Sequence, residues 1–114
     1  MKKNTDDLII DWELSTKLAG NKRHVAEELL SLLIKNLPGE LADMKEAYKN
    51  NDIEKLLLAI HKLRGALCYC GVPRLRNAIL TLEMALRRNK EPEIAALFAK
   101  FEFEVDELLL SAQN

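Results

Sequence analysis

Apolar residues along this chain recur at intervals of three and four, the spacing of one helix face. No stretch alternates with the two-residue period of a half-buried strand. A short segment comes first, built on Ile9, Ile10, Trp12, Leu14 and Leu18, with Asp11 placed to cap a helix and Gly20 to stop it. From about Lys22 to Lys49 the stripe is Val25, Leu29, Leu32, Leu33, Leu37, Leu41, Met44 and Tyr48. Pro38 falls inside it and predicts a kink or a split into two helices. Asn50 and Asn51 end that run. Asp52 is placed to cap a third helix, from about Asp52 to Tyr69, which Gly71 closes. Pro73 suits the first turn of a fourth helix carrying Leu75, Ile79, Leu82 and Leu86. That helix ends in Arg87, Arg88, Asn89 and Lys90, where positive charge complements the carbonyl end. After Pro92, residues Ile94, Leu97, Phe98, Phe101, Val105, Leu108 and Leu109 make a fifth. Short connections predict antiparallel neighbours, hence an all-α helix bundle forming a single domain over 1–114, with polar residues 1–7 loose.

Composition narrows the class. The chain has 114 residues, enough to bury a core without metal or disulfide staples. Seventeen Lys and Arg stand against 18 Asp and Glu, a net charge of -1, so the basic excess that accompanies nucleic-acid binding is missing. No apolar run approaches the roughly 18 residues of a membrane helix, and no signal-peptide core follows MKKNTDD. A cytoplasmic location is expected, without membrane contact by this domain. Cys68 and Cys70 lie two apart and would point about 200° from each other on a helix, which rules out a disulfide between them and fits a reducing compartment.

The third helix holds the unusual residues. At about 100° per residue from Ile53, the side chains of Leu56, Leu57, Ile60, Leu63, Leu67 and Cys70 fall on one arc, the core stripe, while Lys55 and Lys62 face water. His61 lies on the flank, near 80°. Arg64 follows at i+3, Gly65 one turn on and Cys68 two turns on, with Leu58 one turn before. Glycine costs a helix interior about 1 kcal/mol relative to alanine, so Gly65 has a reason to be there. It either lets another helix pack closely or clears space beside the imidazole. Arg64 can offer guanidinium donors to an anion held at that ring, and a neutral imidazole nitrogen is a competent nucleophile. Leu58, Ala66 and Cys68 give the flank an apolar, dockable character.

Other chemistries fit less well. His61 and Cys68 sit roughly 10 Å apart along the axis, whereas zinc needs ligands about 2.0 to 2.3 Å from the metal, so no metal is expected. No glycine-rich phosphate loop is present, and ATP is not expected as a ligand. A small enzyme using His61 as general base lacks an evident partner residue beyond the distant His24. A non-catalytic helical adaptor, with His61 incidental, is the alternative.

The string Ile60-His61-Lys62-Leu63-Arg64-Gly65-Ala66, followed by Gly71 and then Leu82-Glu83, resembles the histidine-containing phosphotransfer (HPt) domain family. It is most like the C-terminal HPt domains of BarA/GacS-type hybrid sensor histidine kinases. Ile10 to Trp12, Leu18 to Gly20, Leu37-Pro38 and Asn51-Asp52 match the layout too, so the resemblance covers nearly the whole chain. Arg64 stands where the family usually has lysine. The resemblance implies an antiparallel up-and-down four-helix bundle with a short N-terminal capping helix, in which Pro38 bends one long helix. It implies a phosphorelay carrier in two-component signalling, not a kinase itself and with no cofactor of its own. His61 would accept a phosphoryl group from a receiver-domain aspartate and pass it to a response-regulator aspartate, with Mg²⁺ on the partner receiver. Arg64 would stabilise phosphoryl charge, Gly65 would leave clearance, and Leu58, Lys62 and Cys68 would help dock the partner. A monomer is expected.

Overall fold

The computed structural model describes residues 7–112, and among them there are five helices and no strand. They are α1 (Trp12–Leu18), α2 (Arg23–Lys49), α3 (Ile53–Leu67), α4 (Pro73–Arg87) and α5 (Glu91–Ala112). Helices α2 to α5 are joined by segments of three to five residues, 50–52, 68–72 and 88–90, which force consecutive helices to run antiparallel. Helix α3 packs on α2 and α4, α4 on α5, and α5 closes the ring against α2. The all-α four-helix bundle read from the sequence is therefore what forms. The looseness expected of residues 1–7 falls, apart from Asp7, outside the described residues.

Local chemistry explains most boundaries. Asp11 Oδ1 accepts from the Leu14 N–H at 3.0 Å and Asp52 Oδ1 from the Lys55 N–H at 3.1 Å, as N-caps do. Asn51 ends α2 in the left-handed region at φ 56°, and Gly20 leaves α1 at φ 68°. Pro73 occupies the first turn of α4, where its missing N–H is no loss. Pro38 does not split α2, which runs from Arg23 to Lys49 with Pro38 exposed on its surface.

The core is a single cluster drawn from α2 to α5, with Leu37, Met44, Leu56, Ile60, Ile79, Leu82, Phe101 and Val105 wholly buried. Across the α4–α5 seam, buried Glu104 accepts a hydrogen bond from Arg74 Nη2 at 3.2 Å, and within α5 it pairs with Lys100 Nζ at 2.9 Å. Burial alone would raise the Glu104 pKa; the hydrogen bonds and charges of Lys100 and Arg74 outweigh it and hold the carboxyl below its usual range.

Leu14 and Leu18 are exposed, and the buried member of α1 is Ser15. Gly71 does not close α3, which ends earlier with Cys68 as its C-cap. Gly71 is required for a close approach instead. Its N–H donates to Ser15 Oγ at 2.9 Å, and its carbonyl accepts from the Asp11 N–H at 2.8 Å. These bonds pin α1 over the α3–α4 turn, while the Arg23 guanidinium stacks 4.0 Å from the Trp12 ring centre. The short first helix thus caps one end of the bundle. A Cβ at Gly71 would lie 2.5 Å from the Asp11 carbonyl oxygen and 2.8 Å from the Ser15 nitrogen, both backbone atoms that cannot swing away. Gly71→Ala is expected to destabilise by about 2 kcal/mol and lower the thermal midpoint by about 10 °C, read by circular dichroism.

Candidate functional site

The site is built on α3. Its buried face is Leu56, Ile60, Leu63 and Leu67, with Ile53 and Leu57 half-buried and Cys70 buried just past the helix end. Helix period then dictates the opposite face. His61, Lys62, Gly65 and Ala66 are all exposed, and Leu58 is 67% exposed.

Gly65 can now be assigned. Among the described residues, nothing lies within 4 Å of a Cβ built there, so no neighbouring helix packs against it. The close-packing reading is excluded, and the glycine borders open space one turn from His61.

Arg64 is placed differently from the simple expectation of a free cation. Its Nη1 donates to Glu83 Oε1 at 2.7 Å, across the α3–α4 seam. The Glu83 side chain is 6% exposed and that of Arg64 42%. The other carboxylate oxygen, Oε2, accepts from Arg87 Nη2 at 3.1 Å and Nε at 3.3 Å. One buried carboxylate therefore serves two half-exposed guanidiniums. Glu83 was visible as part of the Leu82-Glu83 motif, yet its role was not legible in a helix period that puts it next to the core residue Leu82.

The α2 side of α3 offers a second set of features. Leu29, Leu32, Leu33, Asn36 and Glu40 of α2 meet Ala66, Tyr69 and Cys70 around a groove of about 160 Å³. Leu32 and Tyr69 are 55% and 61% exposed. Neither was singled out as a surface residue. The signal for Leu32 was there, because Leu29, Leu30, Leu32 and Leu33 are more apolar positions than one stripe can bury. Glu40 lies at this groove with Oε2 buried and unpartnered; burial raises its pKa against the lowering charge of Lys62, and Asp43 adds to the rise.

The cysteines separate. Cys70 is buried, and burial pushes its thiol pKa up, which suits a packing role. Cys68 is exposed, so packing does not describe it. It lines a groove of about 300 Å³ with Leu14 and Leu18 of α1 and Arg76 of α4, two helical turns from His61. Among the described residues, no group of three or more His, Cys, Asp or Glu is placed to hold a metal ion. No helix among them is long and apolar enough to cross a membrane.

Comparison with known proteins adds to this geometry. A family model described as "Hpt domain" matches residues 28–114. The chain is 37% identical over 82 residues to the sensor protein GacS of Pseudomonas syringae pv. syringae, covering 72% of this chain and 9% of that protein. It is 33% identical over 93 residues to the signal transduction histidine-protein kinase BarA of Escherichia coli K12, covering 77% of this chain and 10% of that one. The chain thus spans about a tenth of the length of the curated relatives it matches. Among solved structures, the HPT domain of a sensor hybrid histidine kinase from Shewanella superposes with a TM-score of 0.73 at 30% identity, covering 96% of this chain and 97% of that one.

Proposed function

Because this chain belongs to the histidine-containing phosphotransfer (Hpt) domain family, we propose that it carries phosphoryl groups between receiver domains through His61. The observation that carries the reading is the exposed imidazole on the outward half of α3, with open space at Gly65 one turn away. In the forward step, the lone pair of a neutral ring nitrogen attacks the phosphorus of a receiver's aspartyl phosphate. The phosphorus–oxygen bond to the aspartate breaks, the carboxylate leaves with that electron pair, and the other ring nitrogen gives its proton to solvent. In the onward step a second receiver's carboxylate attacks the phosphorus, and the phosphorus–nitrogen bond breaks with its electron pair left on the ring. The ring takes a proton back from solvent, which returns His61 to the neutral state.

What this domain supplies is position and charge. A loose, in-line phosphoryl transfer depends mainly on alignment and on neutralising the equatorial oxygens. Helix α3, held by its buried face, presents the ring rigidly, and Arg64 is one turn away with donors beyond the one used by Glu83. Mg²⁺ belongs to the partner receiver in this reading, where it would screen the acyl phosphate. Exposed Leu58, Leu32 and Tyr69, together with Lys62 and the rim residue Cys68, provide the surface on which a receiver would settle. If the chain is the tail of a longer sensor kinase, ATP-dependent autophosphorylation belongs to another part of that protein, on the cytoplasmic side of the membrane.

The test is a panel of purified receiver domains charged with radiolabelled acetyl phosphate. Acid-labile, base-stable label should appear on the protein and be lost in His61→Gln with helicity unchanged. Label that persists in that variant would overturn the assignment, and its absence from the wild type with every receiver would favour an adaptor.

Gly65 gives a second prediction. Gly65→Ala should stabilise the helix by about 1 kcal/mol, raising the thermal midpoint by about 5 °C, because the added methyl meets nothing. Gly65→Leu should keep most of that stability yet slow receiver-to-His61 transfer by at least about tenfold, since its side chain would occupy the clearance.

A further inference from the structure

Glu83, Arg64 and Arg87 form an arrangement with more parts than a structural salt bridge needs. The carboxylate is almost fully buried, and each of its oxygens faces a different arginine: Oε1 takes Arg64 Nη1 at 2.7 Å and Oε2 takes Arg87 Nη2 at 3.1 Å. One negative charge among two positive ones leaves the trio with a net charge of +1, at the seam beside the helix turn that bears His61. Arg64 is the arginine next to that turn; Arg87, with a side chain 59% exposed, sits one turn farther along α4.

We propose that Glu83 is a positioning residue that aims Arg64 at the phosphoryl group on His61, and that Arg87 is the standby partner that lets it do so. The proposal rests on His61 being the phosphoryl acceptor. A guanidinium has five N–H donors in a rigid fork, and Glu83 engages Arg64 through Nη1, so the remaining donors can meet phosphoryl oxygens while the first edge stays anchored. A lysine ammonium is a point charge with no such second edge, which gives arginine at position 64 a use of its own. The difficulty is competition. A buried carboxylate with a single partner would resist sharing it, because an unpaired buried charge is strongly unfavourable. Arg87 removes that obstacle: when Arg64 turns charge toward an incoming phosphoryl group, Oε2 of Glu83 remains paired. Neither Glu83 nor Arg87 needs to touch the phosphoryl group.

The experiment uses phosphoramidate as the donor, so no receiver has to be known. Its phosphorus–nitrogen bond breaks as the bond to the imidazole nitrogen forms; ammonia takes up a proton and leaves, and the ring loses one to solvent. The rate of His61 phosphorylation is followed by ³¹P NMR in the wild type, Glu83→Gln, Arg87→Gln and Arg87→Lys, each with Arg64 intact and with Arg64→Gln. With Arg64 present, Glu83→Gln and Arg87→Gln should each slow the reaction about three- to tenfold, and Arg87→Lys should restore most of the rate. In the Arg64→Gln background those differences should vanish, although thermal midpoints still shift. Equal slowing in both backgrounds would mean that Glu83 and Arg87 support the fold or act on the phosphoryl group directly, and it overturns the proposal. Unchanged rates with Arg64 present, or a wild-type His61 that phosphoramidate leaves unmodified, overturn it as well. Should Glu83→Gln fail to fold, the two Arg87 variants decide, since Arg87 is exposed. A positive cycle combined with failure of every receiver to exchange label would leave the positioning role standing and remove the relay role, so the two readings fail separately.

Discussion

Rotation of α3 about its own axis is set by Leu56, Ile60, Leu63 and Leu67, all of them buried between α2 and α4. Burying four such side chains is worth roughly 6–12 kcal/mol, which is comparable to the whole net stability of a domain this size. Turning His61 inward would expose that stripe, so no ordinary fluctuation can do it. The imidazole is therefore held outward by the core, without any bond to the ring being needed. Everything else at the site takes its place from that constraint, because Arg64, Gly65 and Leu58 share the same rigid turn-by-turn frame.

Around this frame the neighbouring helices divide the work. Helix α4 meets the site with charge: Glu83, buried by its place beside Leu82, draws Arg64 toward the seam and is itself shared with Arg87. Helix α2 meets it with apolar surface, since Leu32 stays exposed and joins Tyr69 along the α2–α3 groove. Helix α1 is fastened across the end of the bundle by the Gly71, Ser15 and Asp11 hydrogen bonds, and this brings Leu14 and Leu18 up to the groove that Cys68 lines. A charged side and an apolar side thus flank one exposed ring.

Fold class, helix order and the outward placement of His61 were legible because they follow from periodicity and caps, which are local. The spacing of Ile60, Leu63 and Leu67 fixes a face, Asp52 fixes a start, and Asn51 with its positive φ fixes an end. Where the reading of the chain strayed, a contact distant in sequence was responsible. Gly71 resembled a helix stop but is needed for its approach to Ser15, which lies 56 residues away. Leu14 and Leu18 belong to the apolar segment read from the sequence yet stay exposed, since a helix of seven residues lying across the bundle end has only one side to bury.

Arg64 marks the boundary between the two kinds of information. The sequence alone determined that a cation follows His61 at i+3 on a helix, since the 3.6-residue repeat admits no other arrangement. Only the tertiary structure decided that this cation leans on Glu83, 19 residues later, and shares it with Arg87. The same holds for Gly65, whose neighbours could be a packed helix or open space until the bundle closed with α4 and α2 on either side. The physical reason is common to both. Side-chain direction along one helix is set by backbone geometry, but what a side chain meets there is set by how separate helices pack, and that is a property of the whole core.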